Sequence, residues 1–145
     1  MYKHLLIATD GSELADKAVT QGLEIAKRID AKVTVVTVTE PCPIVVAEGV
    51  VLSSTIEEYD KAVTVDAART LAAVSERAKK AGVPYAVVHV KDQLPAQGII
   101  EEAAATGADL IVMSSHGRRG IAKLLLGSQA SKVLAQSPVS VLVCR

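Results

Sequence analysis

Five apolar runs of strand length punctuate this chain: HLLIATD at 4–10, KVTVVTVTE at 32–40, PYAVVHV at 84–90, ADLIVMSS at 108–115 and VSVLVCR at 139–145. Several are β-branched and nearly continuous rather than alternating. Strands of that kind are covered on both faces, which calls for a parallel sheet between layers of helix.

The segments between the runs carry helical periodicity. Ser12 is placed to cap a helix with Leu14, Ala18, Gly22, Ile25 and Ile29 on one stripe, Glu13 and Asp16 in its first turn, and an end near Asp30. A longer helix, from about Ile56 to Ala81, presents Ile56, Tyr59, Val63, Ala67, Leu71, Val74 and Ala78, and Gly82 with Pro84 stops it. Pro95 opens a third helix that runs to Gly107, and a fourth spans about Ser128 to Ala135. With right-handed crossovers and one reversal of winding, this βαβαβαβαβ alternation predicts an α/β fold. The expected form is an open doubly wound five-stranded parallel sheet of order 3-2-1-4-5 with helices on both faces, Rossmann-like.

The length of 145 residues suits one domain, residues 1–145, that buries roughly 70% of the surface of its unfolded chain. Half the residues are apolar, yet Trp and Phe are absent and Tyr2, Tyr59 and Tyr85 are the aromatic residues, so Val, Leu, Ile and Ala must fill the core. Sixteen basic residues balance sixteen acidic ones, which disfavours nonspecific binding to nucleic acid or anionic lipid. No apolar run approaches the ~20 residues that cross a bilayer, and the first residues lack a small-residue cleavage site, so a cytoplasmic protein is expected. Cys42 and Cys144 form no CxxC pair, and His4, His89 and His116 show no metal-ligand spacing. Residues 41–54, PCPIVVAEGVVLSS, have no clear period and read either as a lid or partner surface or as a long connection.

In a sheet of this order the loops leaving the first and fourth strands diverge and open a crevice. The first strand ends in Ala8-Thr9-Asp10-Gly11 and the fourth in Met113-Ser114-Ser115-His116-Gly117. Gly117 and Gly127 allow backbone N–H groups to approach an anion, and Gly127-Ser128 precedes a helix whose first N–H groups have no internal partner. Three or four charge-assisted hydrogen bonds at roughly 1.5–3 kcal/mol each, together with contacts to a base, are enough for micromolar binding, about −8 kcal/mol. Alone, Gly-Ser before a helix reads as a helix start. Arg118 and Arg119 are either phosphate neighbours or a solvated pair. His116 is a hydrogen-bond donor to phosphate or ribose, a packed loop residue, or a proton-transfer base with no evident carboxylate to orient it. Asp10 is either an acceptor for an adenine or ribose group or a helix cap, alone or with Glu13. Neither GxxxxGK[ST] nor a GxGxxG after the first strand is present, so any phosphate site is of another type.

Three stretches carry a resemblance over essentially the full length: ATDGSELADKAV, LPAQGIIEEAAATGADLIVMSSHGRRG and LLLGSQASKVLAQSPVSVLVCR. The chain resembles the universal stress protein family, whose nucleotide-binding members carry G-x2-G-x9-G-[ST]. Here the frame reads Ser114-x2-Gly117-x9-Gly127-Ser128, with serine in place of the first glycine. The resemblance to the ATP-binding branch implies that Ala8, Thr9 and Asp10 flank the adenine and that Val38 touches ribose or base. It further implies that Met113, Ser114, His116 and Gly117, with Gly127, Ser128 and Gln129, hold ribose and phosphates. The implied ligand is ATP, ADP or AMP, with Mg²⁺ or Mn²⁺ carried by the phosphates. If the first glycine serves positive φ, serine costs about 1–2 kcal/mol; if it serves only room, serine is tolerated.

The order 3-2-1-4-5 makes the last run, Val139 to Arg145, an edge strand without the lysine or internal proline that usually blunts one. Pairing with the same strand of a second copy removes that liability, and the resemblance implies such a homodimer. Three functions fit: an ATP-binding regulatory protein of the stress response acting as a nucleotide-dependent homodimeric switch, a slow ATPase or phosphotransferase, or a dimeric interaction protein that binds no nucleotide.

Overall fold

Strands and helices alternate from the first turn to the last: β1 (His4–Ala8), α1 (Glu13–Ile29), β2 (Lys32–Val38), α2 (Ser53–Ala81), β3 (Tyr85–Val90), α3 (Pro95–Thr106), β4 (Leu110–Ser114), α4 (Ser128–Gln136) and β5 (Ser140–Cys144). The computed structural model describes residues 1–43, 53–118 and 125–145. Most of the aperiodic stretch 41–54 therefore lies outside the described residues, as does Arg119.

All five strands pair in parallel in the order β3-β2-β1-β4-β5, as expected from the alternation. The winding reverses between β1 and β4, where Leu5 pairs with Leu110 and Ile7 with Val112. Side chains of opposite parity feed two cores. Leu5, Ile7, Val33, Val35, Leu110 and Val112 pack under α1 and α2, and Leu6, Ala8, Val36, Ile111 and Met113 pack under α3 and α4. The near-continuous apolar runs are thus buried on both sides.

Helix α1 starts where expected, with Ser12 Oγ accepting from the N–H of Ala15 at 3.2 Å, and ends at Asp30 in the left-handed region, φ 56°. Its buried stripe differs from the expected one. Ala15, Ala18, Val19, Gly22, Leu23 and Ala26 face the sheet, while Leu14, Ile25 and Ile29 flank the contact and are half-buried. Small residues set the approach: a Cβ on Gly22 would lie 2.6 Å from Ile7 Cδ1, so α1 rests on β1 through a glycine.

Helix α2 has 29 residues, about 44 Å at 1.5 Å per residue, against strands of five to seven residues, about 17–23 Å. Ala67, Leu71, Val74 and Ala78 are buried, but Ile56 is exposed and Tyr59 and Val63 only half-buried. The helix enters from the carboxyl end of β2, so its first half overhangs that end of the sheet, where the crevice lies. Tyr59 Oη donates to the carbonyl of Glu40 at 3.0 Å and ties the overhang to the exit of β2.

Candidate functional site

Two turns leave the sheet side by side at the reversal point. At the end of β1, the N–H of Thr9 donates to the carbonyl of Val36 at 3.0 Å, and Thr37 Oγ1 donates to the carbonyl of Thr9 at 2.9 Å. The chain then turns at Gly11, whose φ of 77° lies in the left-handed region. Asp10 stands between the turns: Oδ1 accepts from the N–H of Ser12 at 2.9 Å and Oδ2 from the N–H of Arg118 at 2.8 Å. Ser12, not Asp10, caps α1.

After β4 the chain meets the start of α4. The N–H of Gly127 donates to the carbonyl of Ser115 at 2.7 Å, and the N–H of Ser115 donates to the carbonyl of Cys144 at 2.8 Å. Neither Gly117 nor Gly127 has positive φ; both supply room. A Cβ on Gly127 would lie 2.7 Å from the oxygen of Ser115, and one on Gly117 would lie 2.8 Å from Asp10 Oδ2. Helix α4 has no side-chain cap, and its first i→i−4 bond runs from the N–H of Ser131 to the carbonyl of Gly127 at 3.0 Å. The N–H groups of Ser128, Gln129 and Ala130 therefore have no acceptor within the helix, and such a helix start carries partial positive charge suited to an anion.

Ser114 ends β4 opposite Cys144 and is not among the described residues with positive φ, so the strain argument against serine does not apply. Its hydroxyl is buried and donates to the carbonyl of His116 at 2.7 Å. His116 is 8% exposed; its Nδ1 lies 3.0 Å from Ser115 Oγ, while Nε2 is buried with no hydrogen-bond partner among the described residues. The ring stands against the α4 start, with Cδ2 3.4 Å from where a Cβ on Gly127 would be. A hydroxyl, not a carboxylate, thus orients the imidazole. Burial of an unpaired polar atom costs on the order of 1–3 kcal/mol, which a bonding ligand would recover.

Ala8 and Met113 are buried in the α3/α4 core, and Val38 is half-buried against α3, where a Cβ on Gly98 would meet Val38 Cγ1 at 2.8 Å. Ser128 is exposed at the first position of α4. Gln129 turns its side chain elsewhere: Oε1 accepts from the N–H of Ala96 at 3.1 Å and caps α3, whose own N-cap residue Leu94 offers no side-chain acceptor. The guanidinium of Arg118 reaches Asp66 on α2 at 3.1 Å, and Thr70, one turn on, packs on Gly11. Asp66 and Thr70 are the residues of this region that the sequence did not single out. The i, i+4 spacing of Asp66 and Thr70 puts them on one helix face, but nothing local says which turn they meet.

An apolar cavity of about 360 Å³ lined by Tyr2, Ile25, Ile29, Leu110 and Leu142 opens at the amino end of the sheet, away from these turns. Among the described residues, no group of three His, Cys, Asp or Glu side chains is placed to hold a metal ion, and no helix is long and apolar enough to cross a membrane.

Fold and site define a doubly wound α/β protein in which, at the topological switch point, a buried histidine stands against a helix start that has no side-chain cap among the described residues. The model of the universal stress protein family matches residues 1–145, and the chain belongs to that family. It is similar to universal stress proteins of Methanocaldococcus jannaschii (32% identity, covering 100% of this chain and 83% of the relative) and Thermus aquaticus (32%, 100% of both). Among solved structures it resembles the hypothetical protein MJ0577, with a TM-score of 0.85 and 26% identity over 99% of this chain and 96% of that one. It also resembles a universal stress protein in complex with cAMP, with a TM-score of 0.73 and 26% identity over 99% and 97%.

Proposed function

We propose that this protein, a single domain over residues 1–145, binds ATP, or ADP or AMP, at the β1/β4 crevice and acts as a cytoplasmic, nucleotide-dependent regulatory dimer of the stress response. The observation that carries the reading is the buried Nε2 of His116, which has no hydrogen-bond partner among the described residues, beside the start of α4, which has no side-chain cap among them. The cAMP complex of a relative with 26% identity supports an adenine nucleotide as the ligand class.

In this reading Ala8, Thr9 and Val38 border the adenine and ribose, with Asp10 at the same strand end. Met113, Ser114, His116 and Gly117 form the wall toward the phosphates, and the N–H groups of Ser128 and Gln129 receive them. Gln129 contributes its main chain, since its side chain caps α3. A Mg²⁺ or Mn²⁺ ion would arrive with the phosphates and neutralise them. The homodimer would form along β5, which pairs with β4 on one side and carries half-buried Val141, Leu142 and Val143.

Calorimetric titration with ATP, ADP and AMP, with and without Mg²⁺, tests the site. Micromolar binding by the native chain, weakened at least tenfold by Gly127→Ala, is expected; absence of heat with all three nucleotides would remove the reading. Sedimentation of the native chain and of Leu142→Lys tests the dimer.

A further inference from the structure

Both side-chain oxygens of Asp10 are engaged by the protein itself. One holds the N–H of Ser12 in its own turn, and the other reaches 108 residues along the chain to the N–H of Arg118. Gly117 is packed to permit this, because a Cβ there would fall 2.8 Å from the accepting oxygen. The side chain of Arg118 completes the joint by pairing with Asp66, and a Cβ on Gly11 would meet both Arg118 Nη2 (3.0 Å) and Thr70 Oγ1 (2.7 Å). Three elements therefore meet at one carboxylate and two glycines: the β1 turn, the turn after β4, and the overhang of α2.

We propose that Asp10 is a positioning residue, a strut that sets the width of the crevice by fixing the turn after β4 against the turn after β1. Ligand affinity then depends on Asp10 through the placement of His116 and of the α4 start, to which the same turn is bonded by Gly127. This rests on the nucleotide reading for the consequence, although the strut itself does not. The amide of Asp10→Asn can accept from one of the two N–H groups but presents an NH₂ to the other. Gly117→Ala keeps the carboxylate and its charge, yet pushes it from its seat. A strut makes the two variants alike; a charge contact to ligand separates them.

Amide hydrogen exchange by NMR in the ligand-free chain reads the strut without nucleotide. The Arg118 amide is expected to exchange about tenfold or more below its intrinsic rate, with that protection lost in both Asp10→Asn and Gly117→Ala while core amides of β1 and β4 stay protected. An unprotected Arg118 amide in the native chain, or full protection in both variants, overturns the strut. In the second arm, ADP affinity is expected to fall about tenfold in both variants through lost preorganisation. Lost Arg118 protection with unchanged ADP affinity, or an affinity loss confined to Asp10→Asn, overturns the positioning role. A native chain that binds no ADP strikes the nucleotide reading, and the exchange rates still decide the strut.

Discussion

Gly127 and Ser115 are in closer contact than any side chain at position 127 would allow: the N–H of one donates to the carbonyl of the other at 2.7 Å, and a Cβ would stand the same 2.7 Å from that oxygen. The start of α4 is thereby bonded to the exit of β4. Because the obstacle is backbone and not the tip of a flexible side chain, Gly127→Ala must shift the turn. A stability loss of about 1–3 kcal/mol is expected from such overpacking, measured by urea denaturation, together with the loss of ADP affinity.

His116→Asn separates the two ring nitrogens. The Asn amide falls near Nδ1 and keeps a partner for Ser115 Oγ, but nothing replaces Nε2. Since Nε2 has no partner among the described residues, its removal relieves a desolvation cost of about 1–3 kcal/mol that offsets the packing lost with the ring, so stability should not fall by more than about 1 kcal/mol, while nucleotide affinity drops about tenfold to hundredfold, the worth of one charge-assisted hydrogen bond. Thermal melts and calorimetry on the same preparation check both halves.

Gln129→Ala should behave in the opposite way. Its side-chain oxygen caps Ala96 on α3, and loss of a helix cap costs typically about 1 kcal/mol. Nucleotide affinity is expected to remain within about twofold, because the ligand would be received by main-chain N–H groups. A variant with native stability and weakened affinity would place the side chain in the site.

Acid should weaken the fold through His4. Burial, and then the charge of Lys32, hold its pKa below the ordinary value, although Asp109 and the backbone of Thr106 act the other way; Nε2 is paired with Thr34 Oγ1 at 2.8 Å. The unfolded chain then binds a proton near pH 6.5 that the folded chain resists, so stability is full above about 6.5 and falls as pH drops from there toward the folded-state value. His89, lowered by burial and by Lys91, adds in the same direction. Urea midpoints between pH 5 and 8 should decline on the acid side in the native chain and decline less in His4→Gln.

The strand runs, the order 3-2-1-4-5 and the helix starts at Ser12 and Pro95 were legible because each rests on local signals: β-branched continuity, a capping hydroxyl, a proline at the first turn. The expected stripe of α1 held Ala18 and Gly22 correctly, and Gly22 is what lets the helix close on Ile7; it was rotated toward the bulkier Leu14, Ile25 and Ile29 and away from Ala15, Val19, Leu23 and Ala26, because a hydrophobic pattern weights side-chain size while close packing favours small residues. The overhang of α2 escaped notice because sequence period carries no measure of sheet width. At the site, the strand order placed the exits of β1 and β4 side by side, as expected. What joins them, Asp10 with Arg118 and Gly127 with Ser115, spans distant positions and involves main-chain atoms that no residue pattern records. The meaning of Ser114 turned on a single dihedral angle, which distinguishes a glycine needed for room from one needed for φ.

The most direct measurement of the central claim is the electron density of a crystal grown with ADP. The account predicts phosphate oxygens within hydrogen-bond reach of the N–H groups of Ser128 and Gln129 and of His116 Nε2, with the adenine beside Ala8 and Val38. A crevice without density at saturating ADP, or a nucleotide bound elsewhere while Nε2 stays unpaired, would contradict it.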